Sequence, residues 1–444
     1  MEEPPKAGAP RPRDPLLFLA LALALGALGS TLADMRHAGG LDFYQFWVVA
    51  QVAGRPDVAD IYDYDTRARL GAEYIRRAEA DEESERRRVI APHWPVLEPT
   101  ATPLFYAAFR PLALCRFEPA LLAFALVGLA AASAGLLLLA RLLGLRAALG
   151  LLVLAFVGYA FQPLKSDVRV GNVNQLQLGL VALYAWLSSR PERSRLQVAA
   201  GGLLGLLVLF KPNLAPLVPL LGACWFWRRR RAKLARQGAG LAAGLAVAAA
   251  ATLLVFGSIG VWPRWLDYLN GLPPAKIPLS YGNVGLGRIL FEAVGEDLSP
   301  LLAPLALAAA LFCLWRSRLR GPAEAGAVPA AVEDVSALAA GILVYLLSAP
   351  IVWTHYLLLV LPAVLLLLRP GPGRERPALA VAALLAVAID PWADAFGVAD
   401  LQHQALVVTL GLLVLFVLVC REMAGWPALS PPGAEARMPA GGAP

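Results

Sequence analysis

Five polar residues stand at the edges of apolar runs and have side chains that could move a proton or hold a phosphate. They are Asp42, Asn172, Asn174, Lys211 and His355. Charges and amides in such positions are costly in lipid unless they face protein or a ligand. A carboxylate can act as a general base, and cations can stabilise a departing phosphate. The set therefore predicts a polar site at membrane level.

A second group of candidate binding residues lies in or beside the segments between the apolar runs. They are Tyr44, Lys165, Arg169, Asn283 and Arg288. Inverting sugar transfer needs one base for the acceptor hydroxyl and cations for the leaving phosphate, which departs without an acid. One carboxylate therefore suffices, unlike the pair of a usual glycosidase. An exposed Asp42 is expected to have a pKa of about 3.9 and to be ionised at neutral pH.

Each of the principal candidates also has a structural interpretation. Asp42 could cap a helix that lies on the membrane surface. His355 stands between Trp353 and Tyr356 and could be an interfacial aromatic anchor. Lys211 could mark a turn, because a lysine there reaches the interface easily. These alternatives stay open at the level of the sequence.

Metal binding is not predicted. Asp63 and Asp65 have the spacing of a metal-binding DxD motif, but short acidic triplets are common in surface turns. The four cysteines are scattered without a CxxC motif, and the histidines share no spacing. Asp167 could be a second acid or an ion-pair partner of Lys165 and Arg169, and pairing is the favoured hypothesis. We expect no metal and no cofactor.

Composition assigns the chain to the membrane. Of its 444 residues, 58% are apolar and 16% charged, and the mean hydropathy is +0.61. Apolar runs near the length that crosses a bilayer recur from residue 16 to 420, which predicts an all-α polytopic protein of about twelve spans. The predicted spans are 16–33, 119–140, 147–162, 171–188, 197–210, 212–227, 237–257, 299–315, 335–350, 355–369, 377–390 and 404–420.

Basic clusters predict the orientation of these spans. Five clusters, at 141–146, 190–195, 228–236, 316–320 and 369–376, fall on one side if the N-terminus is cytoplasmic. The basic residues behind the formal charge of +7 therefore indicate membrane orientation rather than nucleic-acid binding, since the clusters lack interleaved aromatic residues. The segments predicted to lie outside the cytoplasm are 34–118, 163–170, 258–298, 351–354 and 391–403.

The domain organisation follows from this topology. Residues 1–15 are predicted to be a cytoplasmic tail, 16–420 a single transmembrane domain, and 421–444 a cytoplasmic tail rich in Pro, Gly and Ala. The run Leu16 to Leu32 also resembles the apolar core of a signal peptide, but we interpret it as the first span. The long first outer loop, 34–118, is expected to contain interfacial helices and a solvated charged helix from Arg67 to Arg88.

At these residues the sequence resembles glycosyltransferase family 87, polytopic enzymes of the C-type superfamily that use polyprenyl-phosphate sugars. The resemblance covers about 16–420. The matching pieces are Asp42-Phe-x-x-x-Trp47, Gly54 with Ile61-Tyr62-Asp63, Thr102-Pro103-Leu104, Gly171-Asn172-x-Asn174, Phe210-Lys211-Pro212, Tyr281-Gly282-Asn283 and Trp353-x-His355-Tyr356. Asn172 departs from the pattern, where Gln is expected in many relatives.

The resemblance implies a C-type glycosyltransferase architecture, with Asp42 as catalytic base and His355 and neighbouring basic residues on the donor phosphate. We expect transfer of one sugar, chiefly mannose, from polyprenyl-phosphate-mannose to a lipid or glycan acceptor. The enzyme would work at the outer face of the plasma (inner) membrane, among membrane lipids. The rival hypotheses are a transporter or lipid flippase and a non-catalytic assembly factor. The sequence shows no internal duplication of the kind common in transporters.

Overall fold

A computed structural model describes residues 15–82, 84–273, 278–280, 282–318, 329–370, 375–389 and 400–425. Within these ranges the chain is helical without strands, as predicted, apart from one isolated bridge between Asn283 and Trp353. Short 3-10 helices cover Ala91–His93, Pro212–Leu214 and Thr354–Val360. The α-helices are α1 (Pro15–Met35), α2 (Leu41–Val52), α3 (Tyr64–Glu79), α4 (Glu85–Ile90), α5 (Pro103–Ala113), α6 (Phe117–Leu142), α7 (Ala147–Ala160), α8 (Gln162–Val170), α9 (Asn174–Ser188), α10 (Leu196–Phe210), α11 (Leu217–Trp227), α12 (Arg231–Phe256), α13 (Val261–Asn270), α14 (Leu286–Val294), α15 (Ser299–Arg318), α16 (Ala330–Ser348), α17 (Leu361–Leu367), α18 (Glu375–Ala388) and α19 (Leu401–Ala424).

Six of the described helices are long and apolar enough to cross a membrane: α1, α6, α12, α15, α16 and α19. A seventh span results if α7 and α8, which meet at an angle of 60°, are counted as one broken span. Other predicted spans coincide with shorter helices. For example, α9 and α10 have 15 residues each, about 22 Å of helix, against a hydrocarbon core of about 30 Å. The protein is thus polytopic, and the count of twelve stays a prediction.

The apolar core has two parts. The larger part surrounds α16, whose side chains are almost all buried, and extends through the long helices. The smaller part is the aromatic lobe, which we define as the core shared by α2, α3, α5, α13 and the start of α6. Within it Phe43, Phe105, Phe109 and Phe124 pack with centroid distances of 5.3–5.5 Å. The lobe therefore gives α2 a rigid support.

The charged part of the first loop is not one helix. The structure divides it into α3 and α4. Asp63 begins α3, because its carboxylate accepts a hydrogen bond of 2.9 Å from the Thr66 backbone N–H. Such N-capping satisfies one of the otherwise unpaired amides of the first turn. The structure therefore gives Asp63 a capping role that the sequence, which offered a surface turn or a metal-binding motif, did not predict.

The far end of α9 carries a buried ionic network that the sequence did not suggest. Lys233 of α12 pairs with Asp334 of α16, and the Asp334 carboxylate also accepts hydrogen bonds from Ser188 and Trp225. Lys233 and Asp334 are 1% and 0% exposed. Both charges of this network are paired within the protein, so the network joins α9, α11, α12 and α16 and leaves neither charge for a ligand.

Three of the five basic clusters meet at this same end of the bundle. Arg230 contacts both Glu192 and Glu333, and Arg228 contacts Glu333 and Ser317. The loops that follow α9 and α11 and the end of α15 are therefore neighbours. The polar residues at the start of α9 lie about 21 Å away, because 14 residues separate Asn174 from Ser188.

Candidate active site

Asp42 lies in the first turn of α2, directly beside the end of α8. Its Oδ2 accepts a hydrogen bond of 2.7 Å from Asn172 Nδ2. Two glycines make this approach possible: Gly40 and Gly171 both have φ values in the left-handed region, +73° and +70°. The Gly40 N–H donates to the Arg169 carbonyl at 2.8 Å. A Cβ on Gly171 would lie 2.6 Å from the Cβ of Phe43, so a side chain there would separate the two helices.

Lys211 extends the contact from Asn172 to Asn174. Its ammonium donates to Asn172 Oδ1 at 3.3 Å and to Asn174 Oδ1 at 3.2 Å. The same nitrogen lies 4.3 Å from the centre of the Tyr356 ring, a cation–π contact. Thr102 supports this end of α10, since its hydroxyl donates to the Leu209 carbonyl at 2.7 Å.

Asp167 forms the inner end of the cluster. It is fully buried and accepts hydrogen bonds from Asn174 Nδ2 (2.8 Å), Gln175 Nε2 (3.0 Å) and the Gln175 backbone N–H (3.3 Å). The structure thus shows amide partners for Asp167, not the ion pair with Lys165 or Arg169 that the sequence favoured. The reason is helix geometry: Lys165 and Arg169, four residues apart, share a face of α8 that Asp167 does not.

His355 reaches the cluster from the opposite side. Its Nε2 lies 3.9 Å from Asp42 Oδ2 and is buried without a hydrogen-bond partner. The ring contacts Tyr356 edge-to-face at 4.8 Å. His355 is the second residue of the 3-10 helix Thr354–Val360, and Asn283 holds the segment that leads into this helix. The Asn283 amide donates to Pro278 and Pro350 carbonyls and accepts from the Gly285 and Val352 N–H groups.

Three predicted binding residues have described contacts outside this cluster. Tyr44 is buried in the aromatic lobe against Trp47 and Phe117. Arg288 pairs with Glu292 at 2.8 Å on its own helix. The four hydrogen bonds of Asn283 occupy its amide, so it supports the His355 segment from behind. The structure therefore unites Asp42, Asn172, Asn174, Lys211 and His355.

Lys165 and Arg169 line an open cavity of about 260 Å³ on the outward face of α8. Asp34, His37, Ala38, Gln162 and Val168 complete its lining. Since the Arg169 carbonyl holds Gly40, this cavity adjoins the segment that carries Asp42. Two cations with one carboxylate give the cavity a positive balance that suits an anionic ligand.

Comparison with known proteins decides the family. A family model described as glycosyltransferase family 87 matches residues 100–350, more than half of the chain. The chain belongs to glycosyltransferase family 87. No curated protein matches the sequence. No solved structure matches it.

Membership in this family makes the chain a membrane glycosyltransferase. The matched segment of the glycosyltransferase contains Asp167, Asn172, Asn174 and Lys211. Asp42 and His355 lie outside it, so their link to the site depends on their contacts with the matched residues.

Burial determines the electrostatics of the transferase site. It raises the pKa of Asp42 to about 6, although the Asn172 hydrogen bond and the charge of Lys211 act in the opposite direction. Burial likewise lowers the pKa of Lys211 to about 8, opposed by the charges of Asp167 and Asp42. The expectation of an exposed Asp42 with an ordinary pKa was wrong, because the side chain packs against Asn172 at the end of α8 and is only 18% exposed. A base with a pKa nearer to 7 is a better catalyst at neutral pH.

The described residues assemble no group of three metal-binding side chains in this glycosyltransferase. The lack of a metal requirement stays a prediction. What the sequence missed are the supporting roles of Asp167, as an acceptor of amides, and of Asn283, as the anchor of the His355 segment. The amide partners of Asp167 lie across the turn between α8 and α9, and Asn283 reaches Pro350 and Val352 on a distant segment. No residue pattern in the sequence marks either set of partners.

Proposed function

We propose that this glycosyltransferase moves one sugar, mannose in the simplest case, from a polyprenyl-phosphate donor to a lipid or glycan acceptor, with inversion. One observation carries the proposal. The carboxylate of Asp42, which is only 18% exposed, is held by an amide and faces an unpartnered imidazole nitrogen 3.9 Å away. An isolated base beside a free hydrogen-bonding group suits a reaction in which only the acceptor needs deprotonation.

In this mechanism Asp42 takes the proton of an acceptor hydroxyl while that oxygen attacks the anomeric carbon. The bond between the anomeric carbon and the phosphate oxygen breaks at the same time, and polyprenyl phosphate leaves with the bonding electrons. A neutral His355 with its proton on Nε2 donates a hydrogen bond to a phosphate oxygen. Arg169 lies within electrostatic range of His355 and, with Lys165, attracts the anionic donor.

The sugar itself would contact Asn213, two residues beyond Lys211. Both polar atoms of this amide are buried without a hydrogen-bond partner, although the amide lies near the hydroxyl of Tyr345. Lys211 contacts the Tyr356 ring, and the ring centroids of Tyr356 and Tyr345 are 6.2 Å apart. Asn213, which lies near Tyr345, is therefore close to the cluster around Lys211. Unpaired buried amides are rare in proteins, and adjacent hydroxyl groups of a pyranose would satisfy this one.

The site is proposed to face the outer side of the plasma membrane. The support is the separation of charge along the bundle: the basic loops meet at one end of α9, and Asp42 lies at the other. Basic loops resist translocation and accumulate in the cytoplasm. The isoprenoid tail would then lie in a lipid-facing groove between spans.

The decisive assay incubates membranes with radiolabelled polyprenyl-phosphate-mannose and extracts labelled lipid and glycan. Wild type should transfer label, and Asp42→Asn should lose about 10²- to 10⁴-fold of the rate, the usual contribution of a general base. Asp267→Asn is the matched control, because Asp267 is exposed on α13. Undiminished transfer by a folded Asp42→Asn protein would remove Asp42 from the mechanism. Accumulation of unmodified solute inside vesicles would instead favour a transporter.

A further inference from the structure

The buried Asp167 has no role in the reaction just described, although it is connected to Asp42 through two amides and one ammonium. The described hydrogen bonds run from Asp167 to Asn174, from Asn174 to Lys211, from Lys211 to Asn172, and from Asn172 to Asp42. We propose that Asp167 and Lys211 are positioning residues that fix the orientation of both amides and so the accepting oxygen of Asp42. The inference rests on the proposed function.

The orientation of Asn174 is determined by Asp167. An ionised carboxylate only accepts hydrogen bonds, so Asn174 must turn its NH₂ group toward Asp167. Its oxygen is then the only group left for Lys211, and the 3.2 Å contact joins that oxygen to the ammonium. Gln175 holds the Asp167 carboxylate in place with two further hydrogen bonds.

The orientation of Asn172 is determined by Lys211 in the same way. An ammonium only donates, so Asn172 must present its oxygen to Lys211. The Val173 backbone N–H donates to the same oxygen at 2.7 Å and favours the same orientation. The NH₂ group of Asn172 therefore faces Asp42 and occupies Oδ2. The other oxygen of Asp42 is the one left to accept a proton from an acceptor hydroxyl.

Lys211 thereby differs from the phosphate ligand expected from the sequence. Two of its three N–H groups bond the amide oxygens, and its remaining direction faces the Tyr356 ring. Its charge lies between two carboxylates, Asp42 and Asp167. The contacts of the ammonium are thus all with groups of the protein itself. It affects the reaction through Asp42, and the donor phosphate is left to His355 and Arg169.

The test compares Asp167→Asn and Lys211→Met in purified enzyme, with kcat measured against pH and KM measured for the polyprenyl-phosphate sugar. Asp42 is influenced by Lys211 and Asp167, and His355 faces it. Lys211→Met removes a positive charge near Asp42 and should move the acidic limb of the kcat profile to higher pH. Asp167→Asn removes a negative charge and should move that limb to lower pH. Both variants should lower kcat by about 10- to 100-fold, less than the loss of the base itself, with donor KM within about threefold of wild type.

Two results would overturn the inference. A tenfold or greater rise in donor KM for Lys211→Met, with an unmoved pH limb, would make Lys211 a phosphate ligand. Wild-type kcat and pH profile in Asp167→Asn would exclude a positioning role for Asp167. Lys211→Arg retains the charge and should keep the pH limb, so it separates charge from folding if Lys211→Met fails to fold. Failure of wild type to transfer any polyprenyl-linked sugar would instead contradict the proposed function.

Discussion

His355 Nε2 and Asp42 Oδ2 lie 3.9 Å apart, although 313 positions separate the two residues in the chain. Neither belongs to the segment matched by the family model, which ends at residue 350. Asn172, which bonds Asp42, and Lys211, which bonds Asn172, do belong to it. This arrangement gives a base, a hydrogen-bond donor and a cation within one small volume.

The rate of transfer should depend on the ionisation of Asp42. Burial raises its pKa to about 6, and only the ionised form can accept a proton. Activity should therefore be full above that pH and fall tenfold per pH unit below it. A profile of kcat against pH from about 3.5 to about 8, which covers both the raised pKa and that of an ordinary aspartate, would test this. A limb near pH 4, typical of an exposed aspartate, would contradict it.

Replacement of His355 should weaken the productive complex. We expect His355→Ala to lower kcat/KM by about 10- to 100-fold, the usual cost of a hydrogen bond to a charged group. His355→Phe distinguishes donation from aromatic anchoring, because it keeps an aromatic ring at this position but has no donor. His403→Ala is the control, since the His403 side chain is 69% exposed. Recovery of activity in the Phe variant would show that His355 is only an anchor.

Asn213→Ala should raise the donor KM by about tenfold. The variant removes two buried polar atoms that have no protein partner, so the enzyme without substrate should lose little stability. The bound sugar would lose one or two hydrogen bonds of about 1 kcal/mol each. Asn270→Ala, at an exposed position that ends α13, should leave KM unchanged. An unchanged KM in Asn213→Ala as well would remove this residue from the sugar site.

Gly171→Ala should displace α2 from α8 and reduce both stability and transfer. The left-handed backbone costs a non-glycine residue about 1 kcal/mol or more, and the new Cβ would lie 2.6 Å from Phe43 Cβ. Gly144→Ala is the matched control, because Gly144 has the same φ of +70° but open space around it. Both variants should lower the thermal midpoint, and only Gly171→Ala should lower kcat. Equal kcat in the two would contradict a role for this contact in aligning Asp42.

Much of the fold could be predicted because lipid imposes a strong constraint. Apolar runs such as those of α6 and α12 are long enough to be recognised as spans from the sequence. In a bilayer, a helix is the only structure in which a single segment satisfies its own backbone hydrogen bonds. Shorter helices such as α9 and α10 were found in sequence, but length does not decide whether they cross. The division of the charged stretch into α3 and α4 depended on local caps at Asp63 and Ser84.

The composition of the site was partly predictable for a different reason. Asp42, Asn172, Lys211 and His355 stood out because polar side chains at the edges of apolar runs need a partner. Charge alternation predicted that they lie on one side of the membrane, which made them a set. Tyr44 and Arg288 were predicted on that side too but lie outside the cluster, since Tyr44 packs in the aromatic lobe and Arg288 pairs with Glu292 on its own helix.

The sequence by itself determined a helical membrane protein and the residues able to carry its chemistry, because hydropathy and side-chain type are local properties. Only the tertiary structure decided how those residues act. The pKa of Asp42 depends on burial by helices distant in the sequence. The inward direction of Asp167 depends on which face of α8 meets α9. Burial and hydrogen-bond direction are properties of packed surfaces, so they first exist when the helices meet.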